Sequence, residues 1–182
     1  MNFRRLAIAD VILIQTDIHE DDRGSFMETW HSEKYQEIGV DVSFVQVNQS
    51  FSKLGVLRGL HYQVKRPQGK LVHVMFGEIF DVAVDLRRSS ATFGGWIGER
   101  LSAENRSQLW VPPGFAHGFI SLSEKTQVLY MCTDYYAPQH ERTLLWSDPA
   151  LAINWPKPGD APLTLSQKDA SGVLLSQADL FE

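Results

Sequence analysis

The sequence predicts a mainly β protein, a sandwich or barrel with short peripheral helices. About ten short segments are rich in Val, Ile, Phe, Tyr and Trp, turn residues separate them, and helical signals occur only near the edges. The chain has 182 residues, of which 43% are hydrophobic. One core can therefore form without disulfide bonds, and we expect a single domain over residues 1–182.

The candidate strands follow one another at short intervals. In chain order they are Val11–Ile14, Ser25–Trp30, Val42–Ser52, Val56–Gln63, Lys70–Phe76, Ile79–Leu86, Gly95–Leu101, Gln108–Val111, Gly118–Leu122 and Thr126–Thr133. Turn residues mark several of the gaps. Asp21 to Gly24 suits a hairpin, Phe76-Gly77-Glu78 suits a tight reversal, and Pro112-Pro113-Gly114 must interrupt a central strand because two ladder donors are missing.

Helical signals are confined to two short stretches. Glu33–Ile38 is one candidate, and Ser166–Leu175 is a second that opens a C-terminal helical extension from about residue 166. Ser166 is a suitable N-cap, and Asp169 stands three residues later, as in a capping box.

Composition excludes several classes of protein. A single cysteine, Cys132, allows no intramolecular disulfide and no Cys-rich metal site, which fits the reducing cytosol. The apolar stretch Leu6–Ile14 is interrupted by Asp10 and lacks a signal-peptide cleavage site, and no stretch approaches the length of a membrane span. We therefore expect no membrane partner, and because the net charge is -5 we expect a small-molecule ligand rather than nucleic acid.

Strand alternation brings ionisable side chains together. If the sandwich closes around a cavity, His61, Lys70 and Tyr130 can all point inward from different strands. Arg58 falls on the face opposite to His61 unless Gly59 forms a bulge. Such groups among aliphatic neighbours are costly unless they have partners, reach solvent or serve a function.

Two motifs resemble those of cupins. Gly55 stands six residues before His61, and Pro112 to His117 has the Pro-x-Gly-x-x-His spacing. A metal-binding cupin also needs a second histidine where this chain has Gln63. The sequence therefore predicts acid/base chemistry by side chains, with no metal. Taken alone, His117 could instead support the Pro-Gly turn.

Six segments in order resemble the dTDP-4-dehydrorhamnose 3,5-epimerase family. They are Asp22–Glu28, Gln46–Ser50, Leu57–Gln63, Gln68–Val72, Trp110–Phe119 and Leu165–Asp169. The resemblance covers nearly the whole chain. It implies a cupin-type jelly roll, a homodimer, and cofactor-independent epimerisation at C3 and C5 of a dTDP-4-keto-6-deoxyhexose.

The resemblance also implies catalytic roles. His61 would be the base, Tyr130 the acid on the opposite face of the sugar, and Lys70 the cation near the enolate oxygen. Asp169 resembles the carboxylate that orients the base. The alternative for Asp169 is the capping box of the second helix.

Further positions match residues of the family that hold the nucleotide sugar. They are Arg23, Glu28, Gln46, Asn48, Arg58, His117, Glu141 and Lys168. Arginine suits bidentate contact with a pyrophosphate, and side-chain amides suit a thymine edge. Arg23 and Glu28 could instead form a solvated charge pair on a hairpin. Phe26, Tyr135 and Tyr136 could stack on the base or fill the core, and the core is the expectation for Phe26.

Three other functions compete with this interpretation. A related enzyme could invert one carbon only or move the ketone, but the presence of Tyr130 favours inversion at both carbons. A non-catalytic sugar-binding cupin would leave the convergence of His61, Lys70 and Tyr130 unexplained. Gln63 disfavours a metal-dependent cupin oxygenase.

Overall fold

The computed structural model describes residues 1–182 and contains thirteen strands and two short α-helices. The strands are β1 (Asn2–Arg5), β2 (Ile12–Gln15), β3 (Ile18–Asp21), β4 (Gly24–Met27), β5 (Gln46–Lys53), β6 (Leu57–Gln63), β7 (Lys70–Phe76), β8 (Glu78–Asp85), β9 (Trp96–Ser102), β10 (Ser107–Val111), β11 (Phe115–Ser121), β12 (Lys125–Cys132) and β13 (Glu141–Thr143). The α-helices are α1 (Ser32–Glu37) and α2 (Gln167–Ala170), and 3₁₀ turns cover Pro138–His140 and Leu175–Gln177.

Two antiparallel sheets form a sandwich. The six-stranded sheet has the order β1-β2-β10-β7-β12-β5, and the five-stranded sheet has the order β13-β6-β11-β8-β9. From β5 to β8, and again from β9 to β13, consecutive strands alternate between the two sheets. These crossing connections give the jelly roll that the family resemblance implies, with β3 and β4 forming a separate hairpin.

Apolar side chains fill most of the space between the sheets. The inner cluster includes Val72, Val74, Ile79, Phe119 and Val128, all at most 4% exposed. Because alternate side chains of a strand point to opposite faces, the neighbours of these residues pack outward. Helix α1 and the following segment cover the outer face of the six-stranded sheet, and the C-terminal segment covers that of the five-stranded sheet.

Each of the ten candidate strands overlaps an observed strand, but three strands were not expected. All four residues of β1 and of β3 are exposed, so neither strand carries an apolar alternation, and β13 has only three residues. The second predicted helix is also too long. It ends at Ala170, because Gly172 packs against the backbone of Leu144 and Val173 forms a parallel bridge with that residue. No helix has the length and apolar character that crossing a membrane requires.

Candidate active site

A polar cavity of about 640 Å³ lies between the two sheets. Ten of the twelve site residues predicted from the sequence line it: Gln46, Asn48, Arg58, His61, Lys70, His117, Tyr130, Glu141, Lys168 and Asp169. Strands of both sheets and helix α2 supply these side chains. A larger, more apolar groove beside Phe51 and Phe76 contains none of the predicted site residues.

A bulge in β6 brings Arg58 and His61 to the same cavity. His117 pairs with His61 and Phe119 pairs with Arg58, so Gly59 and Leu60 face the single residue Gly118. Gly59 has a φ of +116°, and a Cβ atom there would lie 2.5 Å from the Cα of Gly118. Only glycine fits this close approach. Strand alternation placed Arg58 on the same face as His61 only if Gly59 formed a bulge, and the structure contains that bulge.

His61 is paired with the carboxylate of Asp169. Nε2 of His61 lies 2.5 Å from Oδ1 of Asp169, and Oδ2 of Asp169 accepts a hydrogen bond from the Ser166 hydroxyl at 2.7 Å. Burial opposes ionisation of Asp169, but the hydrogen bonds from His61, Ser166 and the backbone N–H of Gly59 outweigh it and hold its pKa below the usual value. Since an ionised carboxylate can only accept, Nε2 of His61 is the donor in this pair, and the neutral ring therefore has its lone pair on Nδ1.

Lys70 reaches the cavity from β7 on the opposite sheet. The residue is only 8% exposed, and its ammonium group makes no salt bridge. Burial lowers the pKa of Lys70, while the Cys132 thiol and the carboxylates of Asp81 and Glu141 partly offset this effect. An ammonium group without a direct partner at a cavity wall is available to an anionic ligand or a developing negative charge.

Tyr130 lies on β12, beside Lys70 on the six-stranded sheet and across the cavity from His61 on the five-stranded sheet. Burial raises the pKa of its phenol, with smaller contributions from Cys132 and Glu141, so the hydroxyl stays protonated at neutral pH. The hydroxyl donates to no other group of the protein and can donate a proton to a ligand.

His117 forms a second histidine–carboxylate pair. It lies within β11 rather than in the preceding turn, so a turn-supporting role does not describe it. Its Nε2 atom lies 2.8 Å and 3.0 Å from the two carboxylate oxygens of Asp81 on β8, and Asp81 is 0% exposed. The two imidazoles are cross-strand neighbours, since His117 pairs directly with His61.

The remaining predicted residues are joined by hydrogen bonds. Nε2 of Gln46 donates to Oδ1 of Asn48 at 3.0 Å, and Oε1 of Gln46 accepts from the backbone N–H of Tyr136 at 2.8 Å. Glu141 accepts from Lys168 at 3.0 Å and from the Tyr136 hydroxyl at 2.9 Å. The part of the cavity lining that contains these residues is therefore formed by side chains that are fixed by hydrogen bonds within the protein.

Arg23 and Glu28 lie outside the cavity of their own chain. Arg23 is on the β3–β4 turn, where its 90% exposed side chain pairs with Asp21. Glu28 follows β4 and pairs with Lys34. Phe26 on the same hairpin is 69% exposed, so the expectation that it belongs to the core is wrong.

Sequence reasoning did not assign to the site several residues that line or support the cavity, among them Asp81, Tyr136, Ser50 and Ser166. Alternation could have found Asp81, because it stands between the inward-facing residues Ile79 and Ala83, where a carboxylate needs a partner. Tyr136 was named only as an aromatic candidate. Gln63, which replaces a cupin metal ligand, bonds to the backbone of Arg66, Tyr135 and Ala137. No group of three or more His, Cys, Asp and Glu side chains is arranged to hold a metal ion.

Comparison with known proteins identifies the family. The model of the family described as dTDP-4-dehydrorhamnose 3,5-epimerase matches residues 5–177. The chain belongs to this family. A dTDP-4-dehydrorhamnose 3,5-epimerase of Pseudomonas aeruginosa is 57% identical over 182 residues, which are 100% of this chain and 99% of that protein. The resemblance drawn from the six sequence segments is thereby confirmed.

Solved structures of related epimerases share the fold. The Legionella pneumophila dTDP-6-deoxy-D-glucose-3,5-epimerase, solved with dTDP-4-keto-L-rhamnose, has a TM-score of 0.96 and 48% identity over 100% of this chain and 97% of that chain. A 3'-monoepimerase of Streptomyces bikiniensis with dTDP-quinovose has a TM-score of 0.87 and 34% identity over 94% of this chain and 86% of that chain. The jelly roll thus occurs in relatives that invert one carbon as well as in those that invert two.

Proposed function

We propose that the protein converts dTDP-4-dehydro-6-deoxy-D-glucose to dTDP-4-dehydro-L-rhamnose by inverting C3 and C5 through an enolate, without a cofactor. The observation that carries the proposal is the placement of a carboxylate-paired imidazole and a protonated phenol on opposite sheets of one cavity. Inversion next to a ketone needs a base on one face of the sugar and an acid on the other.

The first step is removal of a proton by His61. Nδ1 takes the proton from a carbon next to the C4 ketone, the C–H electron pair forms a double bond between that carbon and C4, and the π pair of the C4 carbonyl moves onto its oxygen, which becomes negatively charged. Asp169 holds the imidazole through Nε2 and stabilises the imidazolium that forms. The cation of Lys70 stabilises the enolate oxygen, where it needs no reorganisation because the side chain is buried at the wall.

Reprotonation comes from the opposite wall. Tyr130 donates its phenolic proton to the carbanionic carbon, the ketone reforms, and the configuration at that carbon is inverted. The phenolate regains a proton from solvent, and His61 loses the one it removed. C3 and C5 both flank the C4 ketone, so the same groups can act on each carbon in turn.

The nucleotide needs separate contacts. Arg58 is fixed by hydrogen bonds to Ser52 and to the carbonyl of Phe51, which orients its guanidinium for a phosphate. Lys168 adds a second cation once a ligand competes for it with Glu141. The amides of Gln46 and Asn48 offer donors and acceptors to the thymine.

Arg23 and Glu28 can serve a binding site only if they reach the cavity of another subunit. We propose a homodimer in which the β3–β4 hairpin of one subunit completes the site of the other. Apolar side chains that a second copy could cover lie on the edge strand β5 and near the end of β7. They are Val47, Phe51, Met75 and Phe76, with exposures of 59%, 70%, 47% and 58%. Such a cluster is typical of an interface between subunits.

Incubation with dTDP-4-dehydro-6-deoxy-D-glucose in deuterated water tests the activity. We expect deuterium at both C3 and C5 and a product of the L-rhamno configuration. Deuterium and inversion at a single carbon would establish a mono-epimerase, and a moved ketone would establish a ketoisomerase. If the substrate remained unchanged, the result would favour a non-catalytic sugar-binding protein. Location in the cytosol and the lack of nucleic-acid binding stay predictions from the composition.

A further inference from the structure

Asp81 is a buried carboxylate for which the epimerisation steps above have no use. It lies on β8 between the sheets with no exposed surface, and its only hydrogen-bond partner is Nε2 of His117. An isolated buried carboxylate is costly, so a single partner that bridges both oxygens must contribute most of its stabilisation.

The geometry fixes which ring nitrogen of His117 faces the carboxylate. An ionised carboxylate accepts, so Nε2 of His117 carries the proton, and Nδ1 makes no hydrogen bond within the protein. His117 lines the cavity directly beside His61, and Lys70 and Tyr130 line the same cavity. The arrangement repeats that of His61 and Asp169, with the carboxylate on the other side of the imidazole pair.

We propose that Asp81 is a positioning residue for the epimerisation. By accepting Nε2–H of His117, it keeps the lone pair of Nδ1 available to the cavity, where that lone pair accepts a hydrogen bond from a hydroxyl of the hexose. The inference rests on the proposed function, because it takes the ligand beside His117 to be the sugar. It assigns a role to a residue whose side-chain hydrogen bonds are made to His117 alone.

Asp81→Asn tests the proposal with little change of shape. The amide of the new side chain can donate to Nε2, which would move the proton of the imidazole to Nδ1 and turn the acceptor into a donor. We expect kcat/KM to fall roughly 10- to 100-fold, mainly through a higher KM, since a polar group of the substrate loses its partner. Affinity for dTDP alone, which lacks the hexose, should be unchanged.

Asp85→Asn is the matched control. Asp85 lies on the same strand, is equally buried, and bonds to Arg87, Ser90 and Thr92 rather than to a cavity residue. Its replacement should lower the thermal unfolding midpoint and leave KM unchanged. An increase of KM in Asp85→Asn as large as in Asp81→Asn would show that the effect is structural and would overturn the proposal.

The decisive measurements are a double-mutant cycle and the tautomer of His117. Asp81→Asn should cause no further loss of kcat/KM in a His117→Gln background, and an equal loss in both backgrounds would overturn the proposal. The ¹⁵N spectrum of the wild-type ring, assigned with His117→Gln, should show a proton on Nε2 and none on Nδ1. A proton on Nδ1 would overturn it even if Asp81→Asn fails to fold. If the wild-type protein showed no turnover, the proposed function would be refuted. The tautomer of His117 could still be measured, because that measurement does not depend on activity.

Discussion

Asp169 lies 2.5 Å from Nε2 of His61, although 108 residues separate the two in the chain. The same aspartate donates its backbone N–H to the hydroxyl of Ser166 at 3.1 Å, which caps helix α2. Capping and pairing with the histidine were alternatives at the level of the sequence, and the structure contains both. The cap fixes the first turn of the helix and thereby holds the carboxylate against the imidazole.

In Asp169→Asn, the free energy of unfolding should depend less on pH in the acid range than it does in the wild type. Because the folded-state pKa of Asp169 is lowered, the folded state holds the charged form, and its stabilising effect is present above the unfolded pKa near 4 and lost as pH falls through the folded pKa. At pH 6 the variant should be less stable by about 1–3 kcal/mol, since hydrogen bonds to a charged group are lost. Urea unfolding of both proteins at several pH values between about 3 and 6, which span the usual carboxyl pKa, measures the difference in the free energy of unfolding.

That difference should shrink as the pH falls below about 4, where the unfolded wild type takes up protons before the folded wild type does. A constant difference across the range would mean that the Asp169 carboxylate does not contribute through its charge. Ser166→Ala provides the comparison for the cap, because it removes the hydroxyl that binds the backbone N–H and Oδ2 of Asp169 but keeps the carboxylate that pairs with His61.

Arg58→Ala should lower the affinity for dTDP, whereas Lys70→Ala should lower kcat. If Arg58 holds the pyrophosphate, its replacement weakens binding of dTDP with or without a sugar, by roughly 10- to 100-fold for a charge-assisted contact. The enolate charge exists only after proton removal, so Lys70→Ala should reduce kcat far more than it reduces dTDP affinity. Calorimetric titration with dTDP and steady-state kinetics separate the two effects. Equal loss of dTDP affinity for Lys70→Ala, with chemistry intact, would make Lys70 a binding residue.

Mixed dimers test whether Arg23 serves the partner's site. Arg23→Ala should weaken dTDP binding, as Arg58→Ala does, and His61→Ala should abolish turnover. In a hybrid of one Arg23→Ala and one His61→Ala subunit, one site would have both residues intact and the other would have neither. Random mixing should then restore about a quarter of wild-type activity under substrate limitation, because about half of the dimers are hybrids with one intact site each. Activity no higher than the sum of the two parents would place Arg23 in its own subunit's site or outside any site.

Activity should survive exhaustive chelation. The expectation comes from Gln63 at the position of a cupin metal ligand and from side chains that suffice for proton transfer. Turnover after dialysis against EDTA measures it, with a metal analysis of the dialysed protein as the control. Loss of turnover that one divalent ion restores would favour a metal-dependent cupin instead.

Alternation within strands was enough to predict that His61, Lys70 and Tyr130 share one cavity. Lys70 and Tyr130 stand on strands whose inward faces are otherwise apolar near them, with Val72 on β7 and Val128 on β12, so their direction follows from the spacing. Arg58 could be assigned only conditionally, because the bulge depends on the contact between Gly59 and Gly118 from another strand. Local sequence does not encode that contact.

Exposed and short elements escaped prediction for a related reason. Strand β1 has no buried residue and exists because β2 offers it an edge with which to pair. Helix α2 is shorter than its sequence suggests, because pairing of Val173 with Leu144 overrides helical propensity. The Asp81–His117 pair joins residues on neighbouring strands 36 positions apart, and only the register of β8 and β11 brings them together.

Solvent exchange in His61→Ala and Tyr130→Phe tests the base and acid assignment most directly. The two side chains lie on opposite sheets, so each variant should fail at a different step. In deuterated water, His61→Ala should give neither inverted product nor deuterium at C3 and C5, because no proton leaves. Tyr130→Phe should still incorporate deuterium with retained configuration through His61, while inverted product falls sharply. If Tyr130→Phe stopped all exchange and His61→Ala continued to exchange, the two roles would be reversed.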